Sequence, residues 1–384
     1  MGRSEQQQAS RAAAGGRRWL GRFRSKRPAR RRLTGSARSR RSPIGIDVGS
    51  RHFRAVQLHR TAPSWRLAAA ATIPRSASGA AVEVAEAAQL RAQLAERGFR
   101  GQSIVLAVPG DRLMTGIMEL PPRDSGAPIK ELARRELSRM NGCDPGSFEL
   151  ACWDLPAPVR AAQTTFVMGA ACRHEDANQL LDAFEQGGLH VEALDVRSLA
   201  IARACAAMLT GIEGIAGILD VGWCASQLVL LYRGAVVYER NLAKCAIGTL
   251  IEKLAVKLSL RVDAVEPIVI DRSCSIGPDV SPPAGEVQQA CADTAAEHFG
   301  AAVDEMRIPL SYLSNQYPDA GLELLLLAGA GASALGLRQH LGQTLGAEVR
   351  VISPTALVDC AGMLDEECGS ALAAATGLGQ FEEP

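Results

Sequence analysis

Ile44-Gly45-Ile46-Asp47-Val48-Gly49-Ser50 opens a pattern that returns as Ile218-Leu219-Asp220-Val221-Gly222-Trp223. Each copy is an apolar run entering Asp-x-Gly, followed by a second β-rich run, through Phe53, Ala55, Val56 and Leu58 in the first and Ser226 to Leu231 in the second. That reads as strand, glycine turn, strand. An Asp ending a strand aims its carboxylate at the turn, and the Gly lets backbone approach a phosphate closely. A carboxylate repels phosphate, so it would work there through a divalent cation or ordered water. One such turn is ordinary turn chemistry. Two of them, far apart in the chain and followed by Leu327-Ala328-Gly329-Ala330-Gly331-Ala332 after an apolar run, describe a two-lobed clamp. A nucleotide would lie between two hairpins, with the late glycine turn on the adenosine side.

Outward from these turns, the periodicity gives a third strand over 67–73 and a helix over 82–97 closed by Gly98. Two short strands over 102–120 follow, then a helix over 129–140, strands over 148–155 and 164–171, and a helix over 176–186 stopped by Gly187-Gly188. A strand over 190–195 and a helix over 197–209 lead to the second hairpin, with a further strand over 235–242 and a strongly amphipathic helix over 245–260. Pro and Gly around 277–285 mark a loop. Helices near 286–300 and 303–316, a strand over 322–327, a helix over 335–345, a strand over 349–352 and a helix over 367–378 complete the chain.

Composition sets limits. The 384 residues are 47% hydrophobic and 22% charged, with a net charge of +1 that hides an asymmetry. Residues 1–41 hold 14 Arg or Lys against Glu5 alone, while the remainder is acidic. This arm is too polar to fold alone. Its Trp19-Leu20-Gly21-Arg22-Phe23 segment suits an electrostatic tether to an anionic membrane surface. A solvated tail, a nucleic-acid contact and an organellar transit peptide share the same composition. Ten cysteines contain no C-x-x-C pair and no zinc spacing, so reduced thiols are expected. No apolar run reaches membrane-spanning length, and no secretory signal is legible, which places the protein on the cytosolic side.

The hairpins, together with Val105-Leu106-Ala107-Val108-Pro109-Gly110, Met118-Glu119-Leu120-Pro121 and Leu194-Asp195-Val196-Arg197-Ser198, resemble the type IV pilus assembly PilM family. That family is related to the cell-division protein FtsA within the actin-like ATPase superfamily, and the resemblance covers residues 43 to 378. It implies an α/β fold of two actin-like (ribonuclease H-like) lobes with an inserted α+β subdomain. The basic arm would span 1–42, the first lobe 43–101 and 184–214, the insert 102–183 and the second lobe 215–384. By resemblance Asp47, Gly49 and Ser50 would line the first phosphate loop, and Asp220, Gly222 and Ser226 the second. Gly329 and Gly331 would pass under the adenosine of ATP, Asp47 and Asp220 would act through Mg2+, and Asp195 would face the cleft where the lobes join.

The resemblance further implies a bacterial scaffold of a pilus or type II secretion-like machine, peripheral at the inner face of the inner membrane. It would capture the cytoplasmic N-terminal peptide of a PilN-like inner-membrane protein. Self-association is a further expectation of the superfamily. The alternative is an active ATPase or small-molecule kinase on the same fold. Departures from the family pattern favour a scaffold with weak or no ATPase activity. Arg51 and His52 replace hydroxyls; Trp223, Cys224 and Ala225 fill the second loop; Arg240-Asn241, Cys245-Ala246 and Ala330 replace the strand-end Asp and three glycines.

Overall fold

The computed structural model describes residues 40–61, 64–158, 164–270, 285–318, 320–360 and 369–382. The basic arm before residue 40 and, apart from Gly285, the loop expected around 277–285 lie outside them. Strands β1 (Arg40–Arg41), β2 (Ile44–Val48), β3 (His52–Thr61), β4 (Ser64–Pro74) and β5 (Ser103–Ala107) begin the first sheet. A separate sheet holds β6 (Leu113–Leu120), β7 (Phe148–Asp154) and β8 (Thr165–Arg173), and β9 (His190–Asp195) returns to the first. The second lobe is built on β10 (Ile215–Asp220), β11 (Ser226–Tyr232), β12 (Ala235–Leu242), β13 (Leu322–Ala328) and β14 (Glu348–Val351).

The two large sheets share one topology. In the first, β4 pairs with β3, β3 with β2, β2 with β5 and β5 with β9; in the second the order is β12-β11-β10-β13-β14. In each, two antiparallel hairpins are extended by parallel strands. The central strands β2 and β10 are buried along almost their whole length, so they read as continuous apolar runs rather than alternating ones. Asp47 and Asp220 occupy equivalent places on them, at the mouths of the two hairpins.

Helices cover both faces. In the first lobe, Val84–Glu96 and His174–Gln186 bury Leu90, Leu94 and Phe184 against Ile44, Ile46 and Phe53. In the second, Ile247–Leu258, Gly285–Gln316 and Leu337–Leu345 pack Leu250, Leu254, Phe299 and Leu341 over Leu219, Leu228 and Leu327. Between the sheets run the helices Arg197–Ala204 and Ala373–Gly379. The first presents Ile201 and Ala204 to Ala216, Ile218 and Leu326 of the second sheet. The second brings Leu378 onto Val105 and Ala193 of the first sheet, together with Ala200 of its neighbour. They cross closely. A Cβ on Gly377 would lie 1.7 Å from the Ala200 carbonyl oxygen, and one on Gly45 would lie 2.2 Å from that of Ala375.

Several expectations are revised. The separate sheet with its helix Ile129–Asn141 spans Leu113 to Arg173, narrower than 102–183, because β5 pairs with β2 and β9 while the helix 174–186 packs into the first-lobe core. The helices near 286–300 and 303–316 are one helix, Gly285–Gln316, running through Gly300 and Pro309. A short helix, Val262–Val269, follows the amphipathic one. The last residues of the arm expected at 1–42 belong to the first sheet: Arg40 and Arg41 pair with Arg60 and His59, and the Leu58 N–H donates to Ser42 Oγ at 3.0 Å.

Candidate functional site

The two hairpin mouths and the glycine turn after β13 converge, and Arg197 lies between them. It is the first residue of the interlobe helix, set immediately after β9. Its Nε donates to Asp47 Oδ1 at 3.0 Å and its Nη2 to Asp47 Oδ2 at 3.4 Å. Its Nη1 pairs with Asp220 Oδ2 and lies 3.3 Å from Gln227 Oε1. Both aspartates are almost wholly buried, at 2% and 4% exposure. Arg54 adds a second cation 3.6 Å from Asp47. Burial alone would push the Asp47 carboxyl up, but the Arg197 and Arg54 guanidiniums outweigh it and hold the group below its ordinary value. Burial likewise opposes the charge on Arg197, and the carboxylates of Asp220 and Asp47 reverse that, raising its pKa.

The turns around this cluster are closed by the chain's own atoms. Gly49 N–H donates to the His52 carbonyl at 2.9 Å, and the Ser50 carbonyl accepts from Gly79 N–H at 2.8 Å. Ser226, the hydroxyl of the second turn, is buried and donates to the Cys245 carbonyl at 2.6 Å. The amphipathic helix Ile247–Leu258 begins just behind this turn. A helix start offers free N–H donors to an anion. Here the N–H groups of Ile247 and Gly248 donate to the carbonyls of Gly222 and Trp223, each at 3.0 Å. The Trp223 indole lies over Gly248, and Arg51 stacks on that ring with its Cζ 4.0 Å from the centroid. Arg51 also reaches Glu266 at 3.1 Å, a second charged link from the first lobe to the second.

The late glycine turn folds onto the same place. Gly331 N–H donates to the Val221 carbonyl at 3.0 Å, and Gly329 N–H to the Ser370 carbonyl at 2.8 Å. Gly329 has φ +88°, and a Cβ there would lie 2.4 Å from Asp220 Oδ1. Its close backbone approach is thus spent on Asp220.

Most of the residues expected around a nucleotide therefore come together. Asp195 does not join them. Its carboxylate is fully buried, accepts from Val196 N–H at 2.8 Å and from Arg203 at 3.0 Å, and Arg203 goes on to the Gly377 carbonyl at 2.6 Å. Burial raises the Asp195 pKa against the pull of Arg203. Its role is to tie the two crossing helices. The residues present do not fit Mg2+ in this arrangement. A divalent ion needs carboxylate oxygens turned toward it, and both oxygens of Asp47 and Oδ2 of Asp220 are turned toward a guanidinium. Arg197 is not legible as a site residue in the sequence, because an Arg at a helix start reads as solvated.

The duplicated sheets, the helix pair between them and the facing hairpin mouths define a two-lobed protein of the actin-like ATPase fold. The structure of a PilM–PilN type IV pilus biogenesis complex has a chain matching this one with a TM-score of 0.69 at 23% identity, over 88% of this chain and 98% of that one. Ethanolamine utilization protein EutJ from Carboxydothermus hydrogenoformans matches with a TM-score of 0.51 at 14% identity, over 90% and 91% of the two chains. The family model of the type IV pilus assembly protein PilM matches residues 45–250, more than half of the sequence, and the chain belongs to that family. No curated protein matches it.

Proposed function

We propose that this protein is a cytoplasmic scaffold of a type IV pilus or type II secretion-like machine. It would hold the N-terminal cytoplasmic peptide of a PilN-like inner-membrane protein. The observation that carries this reading is the family match across the first lobe, the small sheet and the second hairpin. The likeness to a chain of a PilM–PilN complex supports it.

The small sheet offers two edges, β6 and β7. Strand β7 is tied down, since Trp153 Nε1 donates to the Val236 carbonyl at 2.9 Å and Asp154 pairs with Arg123. That leaves β6 as the edge to which an extended peptide would add. The basic arm would supply a second attachment, to anionic lipid, making the protein peripheral at the membrane. Among the described residues no helix is long and apolar enough to cross it.

The enzymatic alternative, an ATPase or small-molecule kinase, requires a metal-bearing carboxylate pair. ATP entering between the lobes would meet Arg51 and Arg197 instead. Fluorescence polarisation with the N-terminal peptide of the cognate inner-membrane partner tests the scaffold reading, alongside phosphate release in Mg2+ and ATP. Saturable peptide binding without turnover is expected. Turnover abolished by Asp47→Ala, with no peptide binding, replaces the scaffold by the enzyme. Removing residues 1–39, which spares β1, should weaken binding to anionic vesicles at low salt. Unchanged vesicle binding removes the tether.

A further inference from the structure

Arg197 is oriented as a bridging ion rather than a surface side chain. Its Nε and Nη2 go to Asp47, its Nη1 to Asp220 and Gln227, so all three guanidinium nitrogens have partners within the chain. Asp47 belongs to the first sheet, Asp220 and Gln227 to the second. A planar guanidinium can satisfy two carboxylates at once on separate sides, which a lysine ammonium cannot do with fixed geometry. The charges also close. Two buried carboxylates facing one another would repel, and a divalent ion would cancel them; here Arg197 and Arg54 bring the same two positive charges. With that pair in place, a metal ion would enter beside two cations and find both Asp47 oxygens and Asp220 Oδ2 already turned toward a guanidinium.

We propose that Arg197 is a built-in cation that clasps the two lobes. It takes the position a divalent ion would fill, so closure of the cleft requires neither metal nor nucleotide. The inference concerns the cleft alone and holds whether or not a pilus partner is bound.

The surroundings agree with a permanent clasp. The clasped carboxylates are 2% and 4% exposed, so water has little access to compete for them. Arg51, stacked on Trp223 and paired with Glu266 at 3.1 Å, adds a second charged link between the lobes. Arg197 is itself carried on the helix that crosses Gly377, and this fixes the guanidinium relative to both sheets.

Two measurements on the full chain test the proposal. The first is hydrogen exchange of segments 47–52 and 220–226, by mass spectrometry, in chelator and in excess Mg2+. The second is binding of Mn2+, followed by the paramagnetic signal of the free ion. The wild-type protein should show the same slow exchange in both conditions and no saturable Mn2+ site. Arg197→Gln should speed exchange in both segments by roughly tenfold or more. It should also gain a Mn2+ site that the added change Asp47→Asn removes. Where Arg197→Gln fails to fold, Asp220→Asn leaves the Asp47–Arg197 pair intact and must speed exchange in 220–226. The proposal is overturned by a wild-type Mn2+ site that slows exchange, by Arg197→Gln exchanging as the wild type does, or by unaltered exchange in Asp220→Asn.

Discussion

Replacing Gly377 by Ala adds one methyl group at the crossing of the two interlobe helices, and its cost follows from the atoms it would meet. The new Cβ would lie 1.7 Å from the Ala200 oxygen, 2.4 Å from its carbonyl carbon and 3.0 Å from its Cα. All three belong to backbone, so no rotamer change relieves the clash. The helices must separate by more than an ångström, loosening the packing of Leu378 and Phe381 against Ala107, Ala193 and Ala200. Overpacking of a core costs about 1–3 kcal/mol and occasionally more, and a backbone-to-backbone contact falls at the upper end. A loss of about 3 kcal/mol lowers Tm by roughly 6–12 °C in a unit of lobe size. Gly300→Ala is the matched control. It lies inside the helix Gly285–Gln316 with nothing within 4 Å of its Cβ position. The same methyl there should add about 0.5–1 kcal/mol through helix propensity alone. Circular dichroism melts of both variants give opposite signs if the crossing is as described. A Gly377→Ala protein that melts with the wild type refutes the argument.

Other expectations are independent of that crossing. Arg75 and Glu86 form a buried pair at 2.9 Å, with Arg75 also donating to the Gly49 carbonyl at 3.2 Å. Arg75→Ala should cost about 3–5 kcal/mol in urea unfolding, because it strands a buried carboxylate; a paired Arg75→Met, Glu86→Leu change should cost less. Asp47 titrates below its ordinary 3.8 in the folded protein, so its ion pairs stabilise fully above that value and are lost as pH falls through the folded pKa. The stability gap between wild type and Asp47→Asn should therefore stay constant down to about pH 4 and close below it, as acid titration of unfolding reads directly. Among the described cysteines Cys224 is exposed while Cys205 and Cys245 are buried. Burial pushes the thiol of Cys205 up to about 12 and that of Cys245 up to about 11. Alkylation mapped by mass spectrometry should label Cys224 roughly a hundredfold faster than either. Because Cys224 belongs to the second hairpin turn, its rate should rise in Arg197→Gln.

The hairpins around Asp47 and Asp220 were legible because their signals are local. An apolar run, an Asp-x-Gly turn and a second β-rich run all fall within fifteen residues. The amphipathic stripe of Ile247, Leu250, Ile251 and Leu254 was equally plain, and all four are buried in the second-lobe core. Boundaries that depend on pairing were not. Nothing in Ser103–Ala107 tells the large sheet from the small one, since any short apolar strand suits either; its pairing with β2 and β9 decides. The single helix Gly285–Gln316 was hidden by Gly300, which favours a break locally and is overridden by packing of Phe299, Val303, Met306 and Leu313.

By itself, the order of residues along the chain determined a repeated strand–turn–strand unit, a third glycine turn and an acidic body behind a basic arm. It also determined that two carboxylates would stand at the hairpin mouths, since strand ends and turn glycines are set by near neighbours. Only the tertiary structure decided what those carboxylates hold. Asp47 and Arg197 are separated by 150 positions, and no short-range preference reports where a long, flexible cationic side chain will find its partners. That contact exists because two sheets and a crossing helix pair bring three distant segments together, and an ion pair's strength depends on the burial only that assembly supplies.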